Sequence, residues 1–261
     1  MKQRLARYLK AIAQSFYSPP LYREVVTQWK GFGGLYLLVL SGAMALVLAT
    51  IMAYGSMEFR DKELPHLAAQ LPKLTVTDGK ISIEGPQPAK VSSSNGMVLV
   101  YIDTTKSEEE LRKQADNKVM MLVGKDFALI RMPTGFDKKT FENVKKFEIS
   151  GKQLLENWPS PVAVLIAVWL LGTCGQFIGL LFMAVAVGVC SYIVTAAMRE
   201  EYDFETRMRM AAVAMTPATL LSKGLLLFAN HNTGTWFDVL LSVLYFYVMV
   251  VLMRRPEVAE K

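Results

Sequence analysis

The chain has 261 residues, 52% of them hydrophobic, and a net charge of +6 at pH 7. Most apolar residues fall in four long stretches with few charges, a pattern typical of membrane-spanning helices. The basic excess lies at the N-terminus rather than along one face of a domain, which excludes a basic surface for nucleic acid. Two histidines and two cysteines, without a Cys-x-x-Cys pair, are too few for a structural zinc site, and we expect no metal or cofactor.

Residues 1–34 are predicted to be a cytoplasmic segment that opens with a basic amphipathic helix. They carry six basic side chains and one acidic side chain. Apolar residues recur at helical spacing up to Phe16, and Ser18, Pro19 and Pro20 end the helix. Such a helix can lie on an anionic inner leaflet or pack against the cytoplasmic side of the protein itself, and the two are compatible. The basic face that would meet the membrane consists of Lys2, Arg4, Arg7 and Lys10.

The first span is predicted at residues 35–54, whose length of about 20 residues matches the hydrocarbon core of a bilayer. Because a net charge of +5 precedes this span, we expect its N-terminal end in the cytoplasm. Residues 55–158 would then lie outside the cytoplasmic (inner) membrane of a bacterium, in the periplasm or at the cell exterior.

Residues 55–158 are predicted to form an extracytoplasmic α+β domain inserted between spans 1 and 2. They carry 16 basic and 15 acidic side chains, as an ordinary soluble domain would. Asp78 and Gly79 between two alternating runs predict a β-hairpin, and Ser107 with Glu110 predicts a capping box that opens a helix reaching about residue 116. Strands are expected at 74–77, 81–84, 97–103, 119–123 and 127–131, and a second helix at 137–147.

Residues 160–198 are nearly uncharged and as one helix would be about 58 Å long. Either one span follows an interfacial lead-in, or two short spans turn near residues 172–179. One crossing would place Arg199, Arg207 and Arg209 in the cytoplasm, which the positive-inside rule favours. We therefore expect four spans and keep five as the alternative. The helical membrane domain would cover 159–253, with its spans at 160–198, 211–229 and 236–253. A cytoplasmic tail at 254–261 would follow it.

Lys223 and Asp238 are the candidate intramembrane polar pair. Lys223 lies within an apolar span toward its outer end, and charges inside spans are costly and often functional. Asp238 opens the next span, and a short loop could bring the two side chains together. The alternative is a lysine that snorkels outward and pairs with Asp238 as structural glue. Thr216 and Pro217 predict a kink in the same helix, either for packing or as a moving hinge.

The sequence lacks the motifs of common hydrolases and phosphate-binding enzymes. No Gly-x-Ser-x-Gly, His-Glu-x-x-His or Walker pattern occurs in it. Asp103, followed by Thr104 and Thr105, only weakly matches a phospho-aspartate nucleophile, and a strand that ends this way before a helix is ordinary loop chemistry. We therefore predict a non-enzymatic protein without catalytic residues.

Several segments taken together resemble a known family. SFYSPPLYREV follows the basic start, LTVTDGKISIEG and VLVYIDTT follow the first span, and YDFETRMRMAAVAMTP leads into a late span. This order is similar to that of the bacterial family called domain of unknown function 1189. The last segment also resembles the Yip1-like membrane domain, whose members commonly have five spans. The resemblance implies an architecture and a cytoplasmic place for residues 199–209, but no activity and no site residue.

The sequence favours an accessory or scaffold protein of an envelope or transport complex, whose outer domain binds a partner or ligand. Its expected partners are the lipid bilayer and other membrane proteins or further copies of the chain, but not nucleic acid. The alternative is a transporter or channel-like component that uses Lys223, Asp238 and the kink at Thr216 and Pro217.

Overall fold

The computed structural model describes residues 2–114, 119–229, 231 and 234–254, with side chains from residue 5 onward. The chain divides into two compact units. The helical unit combines Met1–Thr50 with Leu165–Lys261, and the β unit is Ile51–Val164. The side chains of Lys2 and Arg4, most of the tail and the predicted helix end at residue 116 lie outside the described residues.

Within these described residues, four helices are long and apolar enough to cross a membrane, as the four apolar stretches predict. They are α3, α7, α8 and α9. The helices of the described residues are α1 (Lys2–Gln14), α2 (Pro19–Gln28), α3 (Gly34–Lys62), α4 (Leu64–Gln70), α5 (Glu108–Gln114), α6 (Gly151–Glu156), α7 (Pro161–Ala197), α8 (Phe204–Ala229) and α9 (Thr235–Arg254).

The long apolar stretch forms one helix rather than two. α7 has 37 residues and passes through Gly172, Gly175 and Gly179 without a break. A hairpin would need a turn at these glycines, so the structure does not support the five-span alternative. At 1.5 Å per residue α7 is about 55 Å long, well beyond the hydrocarbon core of a bilayer.

α8 lies at the centre of the helical unit. Every residue from Met208 to Thr219 is buried, including the cation Arg209, so neighbours enclose this part of α8 on all sides. Gly33 lets the start of α3 approach α8 closely, since a Cβ at Gly33 would lie 3.2 Å from the Cβ of Ala212 on α8. Tyr36 on α3 then reaches Thr216, with 2.7 Å between their hydroxyl oxygens.

The β unit contains two sheets that share an apolar core. Val76 and Ile81 of one sheet pack with Ile102 and Val123 of the other. The first sheet has the strand order β2-β1-β8 and the second has the order β3-β4-β5-β6-β7. The strands are β1 (Lys73–Thr77), β2 (Lys80–Glu84), β3 (Ala89–Ser92), β4 (Val98–Ile102), β5 (Met121–Val123), β6 (Phe127–Met132), β7 (Gly135–Thr140) and β8 (Lys146–Ile149).

The predicted hairpin and capping box are both confirmed. β1 and β2 pair antiparallel, and Asp78 and Gly79 between them have φ values of 47° and 78°, as a two-residue hairpin turn requires. The backbone N–H of Ser107 donates to the carboxylate of Glu110 at 2.8 Å at the start of α5. All five predicted strands exist, within one or two residues of their expected bounds.

The helix predicted at residues 137–147 is wrong. These residues form most of β7, a turn, and the start of β8. β7 is an edge strand that carries Asp137, Lys138 and Lys139, and charged residues are common on edge strands because they discourage pairing with other chains. Its polar sequence therefore carries no apolar alternation from which a strand could be predicted. β3, another edge strand, was missed as well.

Replacing Gly151 with alanine should destabilise the β unit. A Cβ at this position would lie 1.9 Å from the carbonyl oxygen of Ala68 on α4, so backbone must move to admit it. We expect a loss of about 1–3 kcal/mol, as for overpacked sites, measured by thermal unfolding and limited proteolysis of the full chain in detergent. Gly55→Ala is the matched control, because a Cβ there meets nothing within 4 Å. Equal stability of the two variants would contradict the close packing of α4 and α6.

Candidate functional site: an apolar cavity in the β unit

Strand alternation gives the five-stranded sheet two different faces. Tyr101, Leu122 and Leu129 occupy neighbouring positions on β4, β5 and β6 and pack with Leu111 of α5. The residues that follow or precede them point to the other face, because successive side chains alternate. That second face looks toward the three-stranded sheet.

Two rows of side chains line the second face. One row runs Ile102, Val123, Ala128 and Lys139 across β4 to β7, as the register of the strands defines. The other row runs in parallel with it: Val100, Met121, Ile130 and Asp137. Each row is apolar until it reaches the edge strand β7, where one ends on a cation and the other on an anion.

A cavity of about 550 Å³ lies between these rows and the three-stranded sheet. Fifteen residues line it, and all except Lys139 are apolar. Val76, Ile81 and Phe147 enclose it from the opposite sheet. Cavities of this size with an apolar lining and few polar groups are typical of sites for small ligands.

Lys139 and Asp137 form an ion pair at the edge of this cavity. Their Nζ and Oδ2 atoms are 2.9 Å apart, and their side chains are 63% and 43% exposed. Such an exposed pair contributes little to stability, so either partner can be exchanged for another charged group at small cost.

Lys138 points to the other face, where its ammonium binds Glu108 at 2.8 Å. Hydrogen bonds from Lys138 and Arg112 lower the pKa of Glu108.

Asp103 has a local structural role. Its side chain is 3% exposed, and its Oδ1 accepts hydrogen bonds from the hydroxyl and backbone N–H of Thr105 at 2.6 and 3.1 Å. Burial raises the pKa of Asp103, but the bonds from Thr105 and the nearby Lys106 ammonium outweigh it and leave the pKa below the ordinary value. These contacts fix the turn between β4 and α5.

Lys223 and Asp238 form no ion pair among the described residues. Lys223 lines a groove of about 310 Å³ together with Met44 of α3 and Gln176 of α7. The side-chain oxygen of Gln176 is buried, with no hydrogen-bond partner in the part of the chain that the structure describes. Asp238 lies on α9, and its Oδ1 is likewise buried without a hydrogen-bond partner among the residues described. The structure therefore places Gln176, which the sequence did not single out, at the groove that Lys223 lines.

Thr216 and Pro217 lie in the buried part of α8. Pro217 stands inside the helix, and Thr216 is hydrogen-bonded to Tyr36 and to the carbonyl oxygen of Ala212. The hydroxyl contact with α3 ties this region to a neighbouring helix. The kink itself stays a prediction.

The predicted basic face of α1 is only partly free. Arg7 binds Glu24 of α2 at 2.5 Å and Gln28 at 3.3 Å, so it serves packing within the protein. Lys10 is exposed, and the side chains of Lys2 and Arg4 lie outside the described residues. α1 also exposes the apolar side chains of Leu5 and Leu9, and the turn that follows it exposes Phe16.

No group of three or more His, Cys, Asp or Glu residues in the described ranges could hold a metal ion. The fold is that of a helical protein with four possible membrane spans and a two-sheet unit that contains an apolar cavity.

The chain belongs to the family described as "Protein of unknown function (DUF1189)", whose family model matches residues 9–252. No curated protein and no solved structure matches it. The resemblance to this family that the sequence segments indicated is confirmed.

Replacing Asp103 with asparagine should lower stability most at neutral pH. The folded-state pKa of Asp103 is depressed, so its carboxylate stabilises the protein above the unfolded pKa of about 3.9, and this contribution is lost as the pH falls through the folded value. We expect a loss of about 1–3 kcal/mol at pH 7 that shrinks below about pH 4, measured by thermal unfolding of the full chain. Asp61→Asn, at an exposed position, is the control. A pH-independent loss would contradict this role.

Proposed function

We propose that the protein is a non-enzymatic component of a bacterial cytoplasmic membrane whose β unit binds a ligand or partner outside the cytoplasm. It would act as an accessory or scaffold of an envelope or transport complex. The observation that carries the proposal is the apolar cavity in a unit whose strands all follow α3 and precede α7 in the chain. A separate binding unit between two possible spans is the arrangement of a membrane-anchored binding protein.

The charge distribution supports an extracytoplasmic β unit in this proposal. Residues 1–34 carry a net charge of +5, and basic segments before a first span favour the cytoplasm. With four spans, residues 199–209 and the end of α9 would also be cytoplasmic. The resemblance of the segment YDFETRMRMAAVAMTP, residues 202–217, to the Yip1-like membrane domain would agree with a cytoplasmic place for residues 199–209.

Capture from intact cells tests both the orientation and the binding role. We expect a membrane-impermeant, amine-reactive crosslinker added to spheroplasts to join the protein to a partner through lysines of the β unit, such as Lys80 and Lys146. Both side chains are exposed. Purification in mild detergent and mapping of the joined peptides give the measurement, and Lys10 and Lys30 of the N-terminal segment serve as the internal control for an intact membrane.

Two results would count against the proposal. Modification of the β-unit lysines only after the membrane is opened would contradict the orientation. Recovery of the uncrosslinked protein alone, with its β-unit lysines modified from outside, would contradict the binding role.

The intramembrane groove favours a second candidate, a transporter or channel-like component. Lys223 and Gln176 line the same groove, and the Gln176 oxygen is buried without a described partner. Ionisable and unsatisfied polar groups within spanning helices commonly mark paths for ions or substrates. In this candidate Lys223 acts with Gln176, while Asp238 and the Thr216–Pro217 region would respond to its charge.

Ion flux through proteoliposomes tests the second candidate. We expect the wild-type protein to dissipate a K⁺ diffusion potential faster than protein-free liposomes, as reported by a potential-sensitive dye. Lys223→Met should return the rate to that of protein-free liposomes, because the charge in the groove is removed. Lys152→Met, in a side chain that is 84% exposed in the β unit, should leave the rate unchanged. Equal rates for the wild type and Lys223→Met would exclude the candidate.

A further inference from the structure

We infer that the cavity of the β unit holds the chain of a single-chain anionic amphiphile, a fatty acid taken from the membrane, with its carboxylate at Lys139. The inference rests on the proposed binding function of the β unit and names its ligand class. It depends on three features of the site: the apolar lining of the cavity, the position of the Lys139 ammonium, and the ion pair between Lys139 and Asp137.

The lining restricts the ligand to an apolar chain. Fourteen of the fifteen lining residues are apolar, so a polar group within the cavity would lose its hydrogen bonds to water without replacement. The aliphatic residues come from both sheets, for example Val76 and Ile81 on one side and Val123 and Ile130 on the other. A flexible alkyl chain fits such a slot between two sheets, because its contacts need no directional partner.

The position of Lys139 fixes where the charged end of the ligand must lie. Lys139 ends the row that begins at Ile102 and crosses Val123 and Ala128, and it stands on the exposed edge strand. An alkyl chain lying along this row would therefore bring its end group to an ammonium that is already in contact with water. A carboxylate at this place needs little desolvation and gains a charge-assisted hydrogen bond.

Asp137 occupies the place of that carboxylate in the structure. Its Oδ2 is 2.9 Å from the Lys139 ammonium, and both residues project to the cavity face of β7 because they are two positions apart. A fatty acid would exchange one exposed carboxylate for another at Lys139. The side chain of Asp137 therefore competes with the ligand, and removing its charge should strengthen binding.

A photoactivatable palmitic acid tests the inference on the full chain in phosphatidylcholine nanodiscs. The acid carries a diazirine in its chain, and the matching fatty alcohol serves as the uncharged probe. After irradiation, labelled peptides from the β unit are compared with labelled peptides from α3, α7, α8 and α9. We expect both probes to label the β unit of the wild type, the acid more strongly, and excess palmitic acid to suppress this labelling while the labelling of the helices persists.

Four variants separate the contributions of chain and charge. Ala128→Trp fills the cavity and should abolish labelling of the β unit by both probes, whereas Ser82→Trp, on the outer face of β2, should not. Lys139→Glu should lower acid labelling about fivefold, which corresponds to a weak exposed ion pair, and leave alcohol labelling unchanged. Asp137→Asn should raise acid labelling alone. The two charge variants change exposed side chains, so they report on binding even where Ala128→Trp fails to fold.

Labelling of the β unit that palmitic acid does not suppress would overturn the inference. An equal response of acid and alcohol to Lys139→Glu would overturn the assignment of the carboxylate to Lys139. If the β unit is not labelled but still captures a partner from intact cells, the fatty-acid inference fails and the proposed function stands. If neither occurs, both fail.

Discussion

The β unit depends on the apolar character of both faces of β4, β5 and β6. Tyr101, Leu122 and Leu129 need cover on one side, and Ile102 and Val123 need it on the other. α5 supplies the first cover and the three-stranded sheet supplies the second, because apolar surface left in water costs about 25 cal/mol per Å². The second cover is incomplete, and the space that remains is the cavity. The candidate site is thus a direct consequence of how the sheet is covered.

The apolar helices of the helical unit also need cover, which neighbouring helices or the hydrocarbon of a bilayer can supply. α8 is enclosed by its neighbours, while α3 and α7 expose large apolar side chains such as Leu46, Val47 and Phe182. Contiguous exposed apolar surface of this kind is unfavourable in water and matches the hydrocarbon of a bilayer. The hydroxyl pair of Tyr36 and Thr216 joins α3 to the central helix where Pro217 interrupts its backbone bonding.

Local signals in the sequence predicted the parts of the fold that local chemistry determines. The turn at Asp78 and Gly79 and the capping box at Ser107 each follow from a few adjacent residues, and each apolar helix follows from one continuous apolar stretch. The cavity could not be predicted, because it depends on which strands become neighbours: the row from Ile102 to Lys139 brings together residues from four strands. Gln176, which lines the same groove as Lys223, was missed for the same reason, because it lies on another helix.

Lys139 illustrates how one residue can satisfy two demands. A charged side chain that points inward on an edge strand discourages pairing with other chains, and this requirement alone would explain a lysine on β7. Edge protection depends on the presence of a charge and not on its sign, so either Lys139 or Asp137 would suffice. Anion binding depends on the sign, and it needs the cation at the end of an apolar row. Of the two charges on β7, the cation Lys139 lines the cavity and the anion Asp137 does not, a placement that edge protection does not require and that a carboxylate ligand would require.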